Sequence, residues 1–150
     1  MRDPSLPWDD TALEPQPTPA HHTDMTPTSH LKLKAQLYCG EEIAMGPGKA
    51  ALLQAIAAAG SISAAGRALG MSYRRAWLLV DTMNRCWQTP LVETLAGGQK
   101  GGGARLTPLG DQVLAAYLAL EAGLARSAAG APLDILTGAL LPQARPAQVR

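Results

Sequence analysis

Between Gly60 and Trp77 the chain reads GSISAAGRALGMSYRRAW, and this run limits the possible folds more than any other. Gly60 closes a preceding helical stretch, Lys49 to Ala59, in which Leu52, Leu53, Ile56 and Ala59 recur at helical spacing. Ser61 or Ser63 then caps a short helix through Leu69, and Gly70 closes it. Ser72 caps a third helix running to about Arg85. The small residues Ala64, Ala65, Gly66 and Ala68 allow two helices to pack closely across a tight glycine turn. That is the pattern of a helix-turn-helix, in which the first helix braces a second that lies in a groove of duplex DNA.

On the third helix, Ala76, Val80 and Met83 share one side and are predicted to face the core. Arg74, Leu78 and Asp81 fall opposite, Arg75 and Trp77 on the flanks, and Ser72 and Tyr73 at the leading end. Arginine can read guanine bidentately, while serine and tyrosine can hold phosphate, so Ser72, Tyr73, Arg74, Arg75 and Trp77 form a candidate DNA-reading set. Trp77 and Trp87 are expected to pack rather than to stack on bases. Alone, the same pattern also suits a plain helix pair with a solvated arginine face.

The segment that follows separates the two. Pro90 opens a new stretch: Leu91 to Leu95 reads as a strand, and Ala104 to Leu106 can return beside it. Between them, GGQKGGGAR places Lys100 at a flexible tip and Arg105 at its base, where a basic hairpin can lie on phosphates. Thr107-Pro108 is a cap followed by proline at the first helical position. The helix it starts carries Val113, Tyr117, Leu120 and Leu124 on one stripe, with Leu114 and Leu118 beside it. Upstream, LKLKAQLYC alternates strictly from Leu31 to Cys39 and predicts a half-buried strand, which Glu41 to Ala44 can join as a hairpin. The predicted fold is mainly α with a small β component: a winged helix-turn-helix with a long C-terminal helix.

Charge is uneven although the net value is only +1. Residues 1–30 hold Asp3, Asp9, Asp10, Glu14 and Asp24 against Arg2, and six prolines, the composition of a disordered tail. From Gly60 to Gly110, Arg67, Arg74, Arg75, Arg85, Lys100 and Arg105 face only Asp81 and Glu93. Polyanions bind local charge, so nucleic acid is a plausible partner. The expected organisation is a tail over 1–30, the winged domain over 31–128, and a flexible C-terminal tail over 129–150.

The runs GPGKAALLQAIAAAGSISAAGRALGMSYRRAWLLVDTMN and PLVETLAGGQKGGGARLTPLGDQVLAAY closely resemble the N-terminal DNA-binding domain of ModE-type molybdate-responsive transcription regulators. More distantly, they are similar to the LysR-type winged helix-turn-helix. The resemblance covers about residues 31–126. It implies that Ser72 to Trp77 begin the recognition helix and that Lys100 lies in the wing. It also implies homodimerisation through the helix from Thr107 to about Arg126, with Val113, Tyr117, Leu120 and Leu124 as its apolar stripe. Full-length members continue into a molybdate-binding region, whereas only 24 residues follow Arg126 here. The expectation is therefore a sequence-specific transcription regulator linked to molybdate uptake or molybdenum-dependent genes. It is a DNA-reading head that binds a palindromic operator as a dimer and either responds through a partner or another effector or binds DNA constitutively. A protein-interaction module, or a constitutive DNA-binding partner of a separate molybdate-binding sensor, is the alternative reading; oxyanion sensing at the dimer interface is a third.

Other chemistry finds little support in the residues. His21, His22 and His30 lack a fixed acidic or cysteine frame, so no metal site is expected. Gly46 to Lys49 lacks the hydroxyl residue and the first glycine of a phosphate loop. Cys39 and Cys86 match no zinc spacing and read as reduced thiols, with Cys86 inert at a helix end. No paired-carboxylate or nucleophile–base pattern appears, so neither an enzyme nor a bound cofactor is expected. MRDPSLPWDD has no apolar core of a signal peptide, and no stretch approaches the ~20 apolar residues of a membrane helix. A cytoplasmic protein is expected.

Overall fold

A computed structural model describes residues 29–96 and 102–148. The tail expected over 1–30 falls almost wholly outside these residues, as does Lys100. The elements in chain order are β1 (Leu37–Cys39), β2 (Glu42–Met45), α1 (Pro47–Ala59), α2 (Ile62–Ala68), α3 (Tyr73–Cys86), β3 (Val92–Thr94), β4 (Ala104–Leu106), α4 (Pro108–Ala128) and α5 (Ala131–Ala139). Each strand pair is a separate antiparallel hairpin, β1 with β2 and β3 with β4.

The three-helix unit forms where the caps predict it. Pro47 opens α1 at its first turn, and the Gly60 N–H closes it on the Ile56 carbonyl at 2.8 Å. Of the two serines considered for α2, Ser61 is the cap: its hydroxyl accepts from the Ala64 N–H at 3.2 Å. Ser72 does the same for α3, accepting from the Arg75 N–H at 3.2 Å. The turn between these helices needs Gly70 in the left-handed region, at φ 69°, where a Cβ would be strained. Gly66 is needed for a different reason. A Cβ built there would stand 3.0 Å from Cβ of Ala76, so α2 and α3 approach closely because that position has no side chain.

Leu52, Leu53 and Ile56 of α1 meet Ile62 and Ala65 of α2 and Ala76, Val80 and Met83 of α3 in one core, which Met45, Leu91, Val92, Leu106, Val113 and Tyr117 complete. Burying side chains of this size stabilises by roughly 1.5–3 kcal/mol each. The absence of phenylalanine is met by leucine, isoleucine and methionine, with alanine at the tight crossings.

Three expectations need correction. The half-buried strand over Leu31–Cys39 shrinks to Leu37–Cys39, and Leu31, Leu33 and Leu37 are each more than 40% exposed. Extended chain alternates its side chains whether or not a neighbouring strand pairs with it, so period two does not reveal the missing partner. Here residues 31–35 run beside α4, where Leu31, Leu33 and Ala35 line a shallow groove with Leu124, Ala128 and Leu133. Second, the flexible tail expected from residue 129 contains α5, opened by Pro132 after Gly130 and bearing no buried residue. Third, the α4 stripe is not one surface. Val113 and Tyr117 are spent in the core, while Leu120 and Leu124 remain 44% and 40% exposed. The Tyr117 hydroxyl donates to the Ala35 carbonyl at 2.8 Å, and burial, with the charge of Glu121 beside it, pushes the phenol up to about 12.

Candidate nucleic-acid interface

The face of α3 opposite the core begins at its capped N-terminus. Ser72, Tyr73 and Arg74 are exposed and Arg75 is half-buried. Trp77, one turn after Tyr73, is 37% exposed, and the two rings meet at 6.0 Å between centroids with a 57° tilt. The tryptophan therefore packs on Tyr73 at the surface and not in the core, which keeps both aromatics on the face that carries the arginines. Leu78 extends the same face and is 54% exposed. The structure thus brings Ser72, Tyr73, Arg74, Arg75 and Trp77 together at one end of one helix.

Along α3, cationic charge is left without a carboxylate partner at this end. Among the described residues, no carboxylate pairs with Arg67, Arg74 or Arg75. Arg75 Nε is shielded from solvent and makes no hydrogen bond there either. At the far end of α3, Arg85 donates to Asp81 at 2.9 Å and lies 3.2 Å from Glu42 Oε2. The hydrogen bonds to Asp81 and Glu42 push its already high pKa up further. Asp81, which the sequence places on the exposed face, is thereby turned to structural use.

Arg105 lies at the base of the β3–β4 hairpin, as expected, but it is not an unopposed charge. Its Nε pairs with Glu93 across the hairpin, in register with the Glu93–Arg105 strand partners. Lys100, the expected tip residue, lies outside the described residues.

What positions the hairpin against α3 is Asn84, a residue the sequence reading did not single out. Its Nδ2 donates to the Val92 carbonyl at 3.0 Å, and its Oδ1 accepts from the N–H groups of Leu91 and Val92 at 2.9 and 3.1 Å. One amide thereby pairs three backbone groups and ties β3 to the last turn of the third helix. Its signal was present: an amide four residues after Val80, on the buried stripe, needs partners there. The other strand rests on the end of α1, with the Ala104 N–H donating to the Gly60 carbonyl at 2.8 Å. Thr107 caps α4 through the Gly110 N–H and also donates to the Pro90 carbonyl at 2.7 Å, closing the hairpin base.

Cys39 and Cys86, read from the sequence as reduced thiols matching no zinc spacing, come to the same place in the fold: the Cys86 Sγ lies 3.9 Å from Oε2 of Glu42, the strand partner of Cys39. No group of three His, Cys, Asp or Glu side chains that could hold a metal occurs among the described residues, and no helix there is long and apolar enough to cross a membrane.

Three helices with a tight glycine turn, followed by a hairpin docked on the third, make a winged helix-turn-helix. Residues 49–111 match the bacterial regulatory helix-turn-helix protein family of the lysR type. The match runs from the start of α1 into the start of α4, so it takes in the helix-turn-helix and the β3–β4 hairpin but not the β1–β2 hairpin. Within that class the chain is similar to molybdenum-related proteins of the ModE kind. It is 51% identical over 82 residues to the molybdenum-pterin-binding protein MopB of Rhodobacter capsulatus, covering 55% of this chain and 30% of that one. It is 47% identical over 70 residues to the molybdenum transport protein ModE of Azotobacter vinelandii, covering 47% and 26%. Against the DNA-binding transcriptional dual regulator ModE of Escherichia coli K12, identity is 38% over 87 residues, covering 58% and 31%. The chain thus spans under a third of the length of these relatives.

Proposed function

We propose that this chain is a sequence-specific DNA-binding transcription regulator, and not an enzyme, whose α3 enters the major groove by its Ser72 end. The observation that carries the reading is the cluster of unneutralised Arg74 and Arg75 beside exposed Ser72, Tyr73 and Trp77, at the N-terminus of the second helix of a helix-turn-helix. Arg74 and Arg75 read base edges, while the Ser72 and Tyr73 hydroxyls and the α3 N-terminus hold phosphate. Arg67, exposed on the bracing helix, adds a phosphate contact. Lys100 and Arg105 belong to the wing, where they add salt-sensitive affinity for any duplex.

The regulator works as a homodimer in the cytoplasm. Leu120 and Leu124 of α4 supply its exposed apolar contact, and Val113 and Tyr117 hold the helix in place from beneath. The winged domain extends over 31–128, with segments on either side as linkers or tails. A link to molybdenum-dependent genes rests on the names of the relatives, and molybdate sensing is assigned to a separate protein or domain. Exposed Ile135 and Leu136 of α5 favour a second reading, a surface that docks such a sensor.

Selection of bound duplexes from a random pool, with and without molybdate, tests the proposal. Enrichment of two-fold-related half-sites whose centres lie ~34 Å apart is expected, unchanged by molybdate. A pool that stays random after repeated rounds contradicts it.

A further inference from the structure

Cys39 and Cys86 are 47 positions apart in the sequence, yet both lie beside Glu42 in the fold. Cys39 ends β1, and its register partner across the turn is Glu42. Cys86 ends α3, and its Sγ lies 3.9 Å from Glu42 Oε2. Arg85 binds the same carboxylate, so the last turn of α3 is held against the β1–β2 turn from two adjacent positions. Cys39 is exposed and Cys86 is partly covered. Nothing in the DNA-binding reading uses either thiol.

We propose that Cys39 and Cys86 are an oxidative modification site, forming a reversible disulfide that staples the β1–β2 hairpin to the end of α3 under peroxide. The exposed Cys39 thiolate attacks the O–O bond of hydrogen peroxide; one oxygen stays as the sulfenic acid and the other leaves as water. The Cys86 thiol then gives up its proton and attacks the Cys39 sulfur, the S–O bond breaks, and the departing hydroxide takes up that proton as a second water. Two thiols and one peroxide become one disulfide and two waters, with two electrons passing from sulfur to oxygen. Burial, then contact with Cys39, pushes the Cys86 thiol up, which suits it to the resolving step and not to the first attack. A dithiol reverses the bond by exchange.

The staple lies about 20 Å along α3 from its reading end, at 1.5 Å per residue. Oxidation therefore raises thermal stability by constraining the unfolded chain and leaves duplex affinity within about twofold. The affinity arm rests on the DNA-binding reading; the covalent arm does not, so failure of one is distinguishable from failure of the other.

The reduced full chain is treated with stoichiometric hydrogen peroxide, quenched with N-ethylmaleimide and weighed intact. The expected product is a monomer lighter by two hydrogen atoms, unalkylated, yielding a Cys39–Cys86 cross-linked peptide and a higher melting temperature that dithiothreitol reverses. Cys39→Ser and Cys86→Ser each lose the cross-link and the stabilisation. Full alkylation of both thiols, oxygen added at Cys39 with Cys86 still alkylated, or cross-links only between chains would overturn the proposal.

Discussion

The two ends of α3 carry the same residue type to opposite effect. At the Ser72 end, Arg74 and Arg75 have no carboxylate partner among the described residues and share their face with Tyr73, Trp77 and Leu78. At the Cys86 end, Arg85 is clasped by Asp81 and Glu42, and the neighbouring Asn84 is committed to β3. One end is left for a polyanion, and the other is an anchor that holds the helix and the hairpin in fixed relation. A charge count over Gly60 to Gly110 weighs all these arginines alike; the fold does not.

If the Cys86 end is the anchor, its removal has the largest effect. Asn84→Ala leaves three backbone groups at a partly buried site without their partner and costs about 3 kcal/mol of stability by denaturant titration. A loss below about 0.5 kcal/mol would show that the hairpin holds its place without the amide. The arginines give the sharpest contrast. Arg74→Ala and Arg75→Ala each weaken a selected duplex by roughly 1–3 kcal/mol, measured by fluorescence anisotropy. Arg85→Ala leaves that affinity unchanged and lowers the melting temperature only slightly, because its ion pairs are solvent-exposed. Equal losses for all three would erase the distinction between the ends. A modest effect is expected at the cap: Ser72→Ala removes the acceptor for the Arg75 N–H and costs about 1 kcal/mol of stability. Binding falls further than stability alone explains if the hydroxyl also holds phosphate.

Much of the scaffold was legible because it rests on local rules. Ser72, Thr107, Gly60 and Gly70 mark helix ends by their own backbone requirements, and the structure places a cap or a left-handed turn at each. The buried face of α3 followed from the spacing of Ala76, Val80 and Met83 alone. What sequence did not reveal depends on pairing between distant segments. The strand expected at Leu31 lacked a partner, the α4 stripe was divided by what packs on Tyr117, and Asp81 was claimed by Arg85. Cys39 and Cys86 looked unrelated because Glu42 joins them only after folding. In the candidate site, the residue types were readable; which of the charges had been neutralised was not. The helix α5 was missed although Leu133, Leu136 and Leu140 recur at helical spacing, because the run is short and Pro142 and Pro146 follow it closely.

The central claim is that duplex DNA meets the Ser72 end of α3. Titration of a selected duplex into isotopically labelled chain, followed by amide chemical shifts, tests this residue by residue. The account predicts the largest perturbations from Ser72 to Leu78, smaller ones at Arg67 and along the β3–β4 hairpin, and little change at Arg85, Cys86 or α5. Perturbations centred on α5 and the groove beside α4, with Ser72 to Leu78 undisturbed, would contradict it.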